Sequence, residues 1–361
     1  MTTDRSERPT LDTVAKAAGV SRMTVSNAYN RPDQLSPATR ERVLAVAAEL
    51  GYYGPDPAAR SLRRGTSGTV GVLLTERLGY AFTDPGMVSL LRGLATELGA
   101  AGQSMLLVPS EADDVGELVR NALVDAFVIC SMDESDEAVV AVRARRLPLV
   151  TVGNPRLPGA PIVGIDNVRA STLVADHLLG LGHRRFGVVG LAGREGGEPE
   201  RRDVPVRVGI RDRVRGFQRA VDARPGTSVT VEEARVHTHE EGVRVGRGLL
   251  HVAASRRPTA VFAVTDVLAL GVLEAARELG VAVPEQLSVV GFDDIEEARR
   301  AAPALTTVSQ DLEGKGRAAA RTALDLVAGR TPHVPRLSAE LVVRGSTAPP
   351  PRSRAKPSST S

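Results

Sequence analysis

The sequence predicts two architectures in one chain: a small all-α helix-turn-helix segment at the N-terminus and a much longer α/β body built on two parallel sheets. Three observations carry this expectation. Apolar residues recur at helical spacing on either side of a glycine near the N-terminus. From Thr69 onward, short apolar strands alternate with amphipathic helices, the pattern of parallel sheets covered by helices on both faces. At 361 residues, 42% of them hydrophobic, the chain is long enough for two or three domains and can bury substantial cores.

The N-terminal elements read in order as follows. Thr10 is a helix cap with Asp12 in the first turn, where a carboxylate suits the positive end of the helix dipole. Leu11, Val14, Ala15 and Ala18 form the apolar stripe of that helix, and Gly19 supplies the turn. Ser21 caps a second helix carrying Arg22, Met23, Thr24, Ser26 and Asn27, while Val20 and Val25 hold the pair together and leave those polar residues free to enter a DNA groove. Ser36 as cap, Pro37 at the first helical position and Gly51 as stop mark a third helix with Val43, Leu44, Ala47 and Leu50 on one apolar face. Next, Asp56 and Pro57 start a helix that Gly65 ends, about two turns long. A helix that short is marginal in water and needs an outside partner to persist.

In the body, TVGVLLT, SMLLVPS, DAFVIC, LPLVTVG, RRFGVVGL, ARVHT, AVFAVTD and LSVVGFDD read as strands separated by helical stretches. Open parallel sheets bind ligands beyond the carboxyl ends of their strands, so two facing sheets would hold a ligand in the cleft between them.

Charge divides along the same lines. Residues 1–65 carry a net +3, the tail after Thr347 another +3 from Arg352, Arg354 and Lys356, and the formal total is also +3, leaving about −3 for the middle. An acidic body with basic ends suits a protein that touches DNA at one end. The single cysteine, Cys130, excludes an intrachain disulfide and a cysteine metal cluster, and its run AFVIC predicts a packed core thiol. The N-terminus MTTDRSERPT is polar and no stretch reaches the roughly 18 apolar residues of a membrane span, so a cytoplasmic protein without membrane contact is expected.

An enzyme is the first rival reading. The sequence holds no Walker-type phosphate loop, no G-x-S-x-G elbow and no H-E-x-x-H pair. His237 and His239 beside Glu240 and Glu241 read as one exposed strand face rather than a metal site, and Asp293 and Asp294, adjacent in an extended segment, point to opposite sides. No catalytic residue, metal or cofactor is expected. A solute-binding or sensor protein of the same body fold is the second rival, and it would carry an export signal in place of the helical headpiece.

The segment TLDTVAKAAGVSRMTVSNAYN, with SPATRERVLAVAAELGY and ARSLRRG after it, resembles the DNA-binding headpiece of the lactose-repressor (LacI/GalR) family of bacterial transcription regulators. IDNVRASTLVADHLLGLGHRRFGVVG, AVTDVLALGVLEAARELGVAVPEQLSVVGFDD and PALTTVSQD are similar to segments of that family's regulatory domain, which has a periplasmic-binding-protein-like fold. The resemblance implies a homodimeric transcriptional regulator, more a repressor than an activator, that binds palindromic double-stranded operator DNA and responds to a small-molecule effector, with a sugar as the family's default class. It implies DNA contacts at Thr10, Leu11, Ser21, Arg22, Met23, Thr24, Ser26, Asn27, Ser36, Thr39 and Tyr52 in the headpiece, and at Ala59, Arg60 and Leu62 in the hinge. Leu62 stands where the family places an apolar wedge in the minor groove. Effector contacts are implied at Tyr80, Phe82, Arg211, Thr265, Asp266, Asp293 and Gln310.

Four departures from the family pattern stand out. Gly54 is a one-residue insertion before the hinge, Gly153 replaces an acid common among relatives, Thr265 replaces an asparagine, and the chain has no Trp to stack on a sugar ring. The expected organisation is a disordered segment at 1–9, a headpiece at 10–53, a hinge at 54–66, an effector-binding and dimerisation domain at 67–347 and a disordered tail at 348–361. Within 67–347 one subdomain takes about 67–167 plus 309–335 and the other about 168–308 plus 336–347. The loop 192–205 is read as a solvated insertion beside the cleft, and the tail lacks the leucine heptads that would join dimers into tetramers.

Overall fold

Helix starts in the N-terminal unit are set by one device used three times. In the computed structural model, which describes residues 9–54, 65–75, 78–110, 112, 114–192 and 208–351, α1 (Leu11–Ala18), α2 (Arg22–Asn30) and α3 (Pro37–Glu49) are each preceded by a hydroxyl residue. Thr10, Ser21 and Ser36 accept from the backbone N–H of Thr13, Thr24 and Thr39 at 3.3, 3.0 and 3.2 Å, satisfying donors that a helix start otherwise leaves unpaired. Gly19 adopts φ 63°, a left-handed conformation that glycine reaches without steric penalty, and so turns the chain between α1 and α2.

The small core of this unit is Val14, Ala15, Ala18, Val25, Ala28, Val43, Ala47 and Tyr52, with Leu11, Val20 and Val46 packed against it. Leu50 departs from its expected place on the α3 face: it is the C-cap residue and is exposed, with Val46 serving instead. Tyr52 closes the core, its ring edge-on to Tyr29 at 5.8 Å, and its carbonyl accepts from the Tyr29 hydroxyl. The hinge segment with Ala59, Arg60 and Leu62 lies outside the described residues, as do most of the 192–205 loop and the chain after residue 351.

The second unit, from Thr69 onward, contains two parallel sheets. The first runs in the order β2-β1-β3-β4-β5, from β1 (Thr69–Leu74), β2 (Ser104–Pro109), β3 (Ala126–Cys130), β4 (Leu149–Val152) and β5 (Ile162–Val163). Strand alternation sorts its core cleanly: Ala126, Val128 and Cys130 of β3 face one apolar cluster, Phe127 and Ile129 the other. Cys130 is thus a fully buried thiol, and desolvation pushes its pKa up to about 12.

The second sheet runs β7-β6-β8-β9, from β6 (Arg185–Leu191), β7 (Ser228–Ala234), β8 (Ala260–Ala263) and β9 (Ser288–Val290). Phe217 stacks on Phe262 at 5.0 Å and meets Phe186 edge-on at 5.7 Å in the centre of its core. β7 ends at Ala234, the first residue of the expected strand ARVHT. It is an edge strand with mostly polar, exposed residues, so its hydrophobic signal is weak and the apolar-looking run after it drew the assignment.

Helices α4 (Pro85–Ala100), α5 (Val115–Asn121), α6 (Glu137–Ala144) and α12 (Leu312–Val327) cover the first sheet. Helices α7 (Asn167–Gly180), α8 (Val208–Asp222), α9 (His239–Leu250) and α10 (Asp266–Glu278) cover the second, with α11 (Glu296–Arg300) beside it. The chain therefore changes sheets after β5, returns after β10 (Thr307–Ser309), and crosses again before β11 (Glu340–Val342), which pairs antiparallel with β10. Helix α12 is held against α4 by direct backbone approach: a Cβ at Gly316 would lie 2.1 Å from the Leu90 carbonyl oxygen, and one at Gly93 2.0 Å from that of Glu313. That contact sets the position of Lys315, the residue before Gly316.

Candidate functional site

Two surfaces carry chemistry. On the N-terminal unit, the start of α2 presents Ser21, Arg22 and Met23 to solvent, Met23 being 71% exposed. Arg22 sits 3.5 Å from Asp12 with both side chains largely exposed, a surface pair of little strength that a stronger anion can displace. Asn27 donates to Gln34, and Ser26 accepts from Asn30, so both have their polar groups partly engaged. Thr10, Ser36 and Thr39 are tied into helix caps. Leu11 and Tyr52 are spent differently: Leu11 packs against the core and Tyr52, 7% exposed, belongs to it. Expected as a DNA contact, the Tyr52 ring is buried in the headpiece core among residues of α1, α2 and α3, and so is not on the exposed surface.

The second surface is a cavity of about 130 Å³ between the carboxyl ends of the two sheets. Its polar lining comes from Asp84, Ser131, Asn154, Asn167, Arg213, His237, Thr265, Asp293, Gln310 and Lys315. Its apolar lining is aliphatic, from Met87, Leu90, Val152, Ile165, Leu191, Ile210 and Leu312. Arg213 on α8 donates from Nε to Asn167 Oδ1 at 3.1 Å and from Nη1 to the Val264 carbonyl at 2.7 Å and Asp293 Oδ1 at 3.2 Å. Its guanidinium also lies 3.7 Å from the centre of the Phe292 ring. Gln310 Nε2 donates to the same Asp293 oxygen, and Lys315 Nζ donates to Gln310 Oε1. A continuous polar chain thus runs from α8 on the second sheet to α12 on the first.

Burial pushes the Asp293 carboxyl up, against the lowering influence of Arg213. Asp293 and Asp294 both adopt positive φ, 121° and 58°, so they do not form the extended segment expected of them, yet they serve separate partners: Asp294 pairs with Arg299 at 2.8 Å and with Arg344. Such a backbone is strained for a residue with a Cβ and is maintained here by ion pairs on both sides.

The implied effector residues divide. Thr265, Asp293 and Gln310 line the cavity. Asp266 does not: it is fully buried, accepting from Thr307 Oγ1 and from the Ile295 N–H at 3.0 Å, and it fixes the loop that carries Asp293. Its desolvated carboxyl, close to Asp293, is pushed up to about 7. Phe82 is 61% exposed outside the cavity lining, and the Tyr80 side chain lies outside the described residues. Arg211 is exposed, and the arginine that enters the site is Arg213. Helical spacing carried the signal, since Ile210, Arg213, Phe217 and Val221 share the buried face of α8 while position 211 falls off it.

His237 was a further miss. It is buried in the β7–α9 loop, 3.8 Å from Asp84 and bonded to Thr265 Oγ1 at 2.8 Å, instead of standing on an exposed strand. His239 faces away, starting α9 with its ring 3.0 Å from Glu274.

Sequence and structure comparisons agree with this geometry. Residues 10–55 match the model of bacterial regulatory proteins of the lacI family, and residues 175–347 match a periplasmic binding protein-like domain. An HTH-type transcriptional regulator of Mycolicibacterium smegmatis is 38% identical over 361 residues, covering 95% of this chain and 97% of the relative. The structure resembles that of the lac repressor dimer bound to operator and the anti-inducer ONPF, with TM-score 0.77 and 26% identity over 95% of this chain and 100% of that one. It also resembles the regulator CelR in complex with cellobiose, with TM-score 0.65 and 31% identity over 94% and 100%. With a helix-turn-helix headpiece and two parallel-sheet subdomains enclosing a polar cleft, this chain belongs to the lacI family of DNA-binding transcriptional regulators.

Proposed function

We propose that this regulator is a repressor that reads a palindromic operator as a homodimer and releases it when a small polyhydroxylated effector occupies the cleft. The observation that carries the effector reading is the Arg213–Asp293 pair. Asp293 Oδ2 and Arg213 Nη2 have no protein hydrogen-bond partner among the described residues, so one free acceptor and free donors stand side by side at the cavity. Adjacent hydroxyls of a polyol need that arrangement, and buried polar groups demand such partners. The cellobiose complex of CelR and the ONPF complex of the lac repressor support a sugar-like class.

On the DNA side, Arg22 and Met23 open the recognition helix, with Thr24, Ser26 and Asn27 following along the groove. Thr10, Ser36 and Thr39 direct helix starts toward phosphates, whose negative charge suits those ends. Ala59, Arg60 and Leu62 of the hinge would enter the minor groove, Leu62 as the wedge. Dimerisation is supported by a second, open hollow of about 1030 Å³ along α10, apolar at Val267, Leu270, Leu273, Val281 and Ile295 and rimmed by Glu274, Arg277, Glu297 and Arg300. An apolar centre with a charged rim is the anatomy of a subunit interface. A regulator of this kind works inside the cell, where the operator is, and has no catalytic step.

Scanning fluorimetry of the full chain against sugars, polyols, nucleosides and small acids tests the effector reading, with each stabilising compound then titrated against protein bound to a selected operator. The expected result is at least one compound that raises Tm and weakens operator binding. Compounds that raise Tm yet leave operator affinity untouched would contradict the switch.

A further inference from the structure

Lys315 is a buried cation of the cleft that the polyol reading leaves unused. It sits on α12 of the first subdomain, 6% exposed, and lines the same cavity as the Arg213–Asp293 pair, to which Gln310 connects it. Its ammonium has three donors, of which one is used, toward the neutral amide oxygen of Gln310. Among the described residues no carboxylate lies within ion-pair distance of Nζ. Arg213 is paired directly with Asp293 at 3.2 Å, whereas Asp293 and Asp311 act on Lys315 only from beyond ion-pair distance. A buried ammonium with unused donors and no carboxylate in direct contact is costly, and a ligand anion placed against it gains that unmade interaction.

We propose that the effector is a polyhydroxylated anion, a sugar-derived compound with one carboxylate or phosphate, whose hydroxyls bind Arg213 and Asp293 and whose charged group binds Lys315. The proposal rests on the cleft being the effector site and adds the charge of the ligand. It also supplies the closing force, because hydroxyls held by one subdomain and an anion held by the other make the ligand itself the clamp. A neutral polyol would offer the unused Lys315 donors hydrogen bonds but no opposite charge. Gly316, in backbone contact with α4, keeps the lysine from retreating.

Burial and the nearby Arg213 push the Lys315 pKa down to about 8, while Asp293, Asp311 and Cys130 act in the opposite sense. An anion favours the protonated amine, so anion affinity falls as pH rises above about 8. Asp84 and His237 also face the cavity, from the start of α4 and from the β7–α9 loop, and a Lys315→Met variant separates their influence from that of the lysine.

The test is isothermal titration of the full chain at pH 7 and pH 9.5 with three matched series: alditols, the corresponding aldonates, and alditol monophosphates. Wild type, Lys315→Met, Lys315→Gln and Asp293→Asn are compared. Lys315→Met replaces a buried charge by an apolar group of similar length, a change that proteins commonly tolerate. The expected result is binding of an aldonate or a phosphate, the responding series identifying which anion, weakened about 10- to 100-fold in Lys315→Met and Lys315→Gln and falling in wild type between pH 7 and pH 9.5. Preference for a neutral alditol, lost in Asp293→Asn but unchanged in Lys315→Met, overturns the proposal and leaves the cleft reading intact. Binding by none of the series, or binding that survives Asp293→Asn, overturns both.

Discussion

The headpiece and the cleft do their work with opposite uses of the chain. In the headpiece, the residues proposed to contact DNA are neighbours in sequence and lie on the outside: Ser21, Arg22 and Met23 follow one another at a helix start whose cap is local. In the cleft they are scattered and buried, since Arg213, Asp293, Gln310 and Lys315 come from different elements and meet through a continuous set of hydrogen bonds. A surface site therefore tolerates change one residue at a time, whereas a buried network fails as a unit. Mutations that unsettle the second unit should leave the base preference of the first alone, and the reverse.

The sharpest way to break this comparison is Phe217→Ala, which opens the centre of the second-sheet core. It should destabilise the effector-binding unit by about 3 to 5 kcal/mol. Chemical denaturation followed by circular dichroism should show an early transition, with the headpiece helices melting separately. A single unshifted transition would mean that the aromatic stack is dispensable.

A smaller effect concerns Asp266, whose folded pKa near 7 lies above the ordinary carboxylate value. Below about pH 4 both folded and unfolded states hold the proton. As pH rises toward 7 the unfolded chain ionises first, so stability is lost across that window, by a few kcal/mol at most. Asp266→Asn should flatten this part of the Tm profile, and a variant whose profile from pH 4 to 7 overlays that of wild type would refute the assignment.

On the headpiece, Arg22→Ala should cost about 1 to 3 kcal/mol at the base pair it reads and shift the sequence preference, with effector affinity unchanged. Selection on randomised operators decides this, an unaltered preferred site being the adverse result. Ser36→Ala, the mildest change, removes one cap and should lower headpiece stability by about 1 kcal/mol. Amide exchange at the start of α3 should rise in that variant and nowhere in the body.

What was legible in the sequence followed the same division. Thr10, Gly19, Ser21 and Ser36 were readable because caps and turns depend on residues two to four positions away. The apolar β3 run AFVIC was readable because both faces of a central parallel strand are buried. Arg213 was within reach of helical spacing, although the resemblance to relatives drew attention to Arg211 two residues earlier. His237 followed a polar edge strand with little hydrophobic signal, so its burial was hidden. Tyr52 looked like an exposed contact until three helices closed over it.

By itself, then, the sequence determined the helix starts, the alternation of strands and helices, the buried thiol and the family, all of which rest on short-range stereochemistry or on residue order. The tertiary structure alone decided which arginine enters the cleft, that Asp266 is buried behind the cavity lining and holds a loop, and that Lys315 reaches the cavity with no carboxylate in ion-pair distance among the described residues. The reason is physical. Burial and charge pairing in the cleft depend on how two sheets and their helices pack, with partners up to 80 residues apart along one contact, and no local pattern encodes that distance.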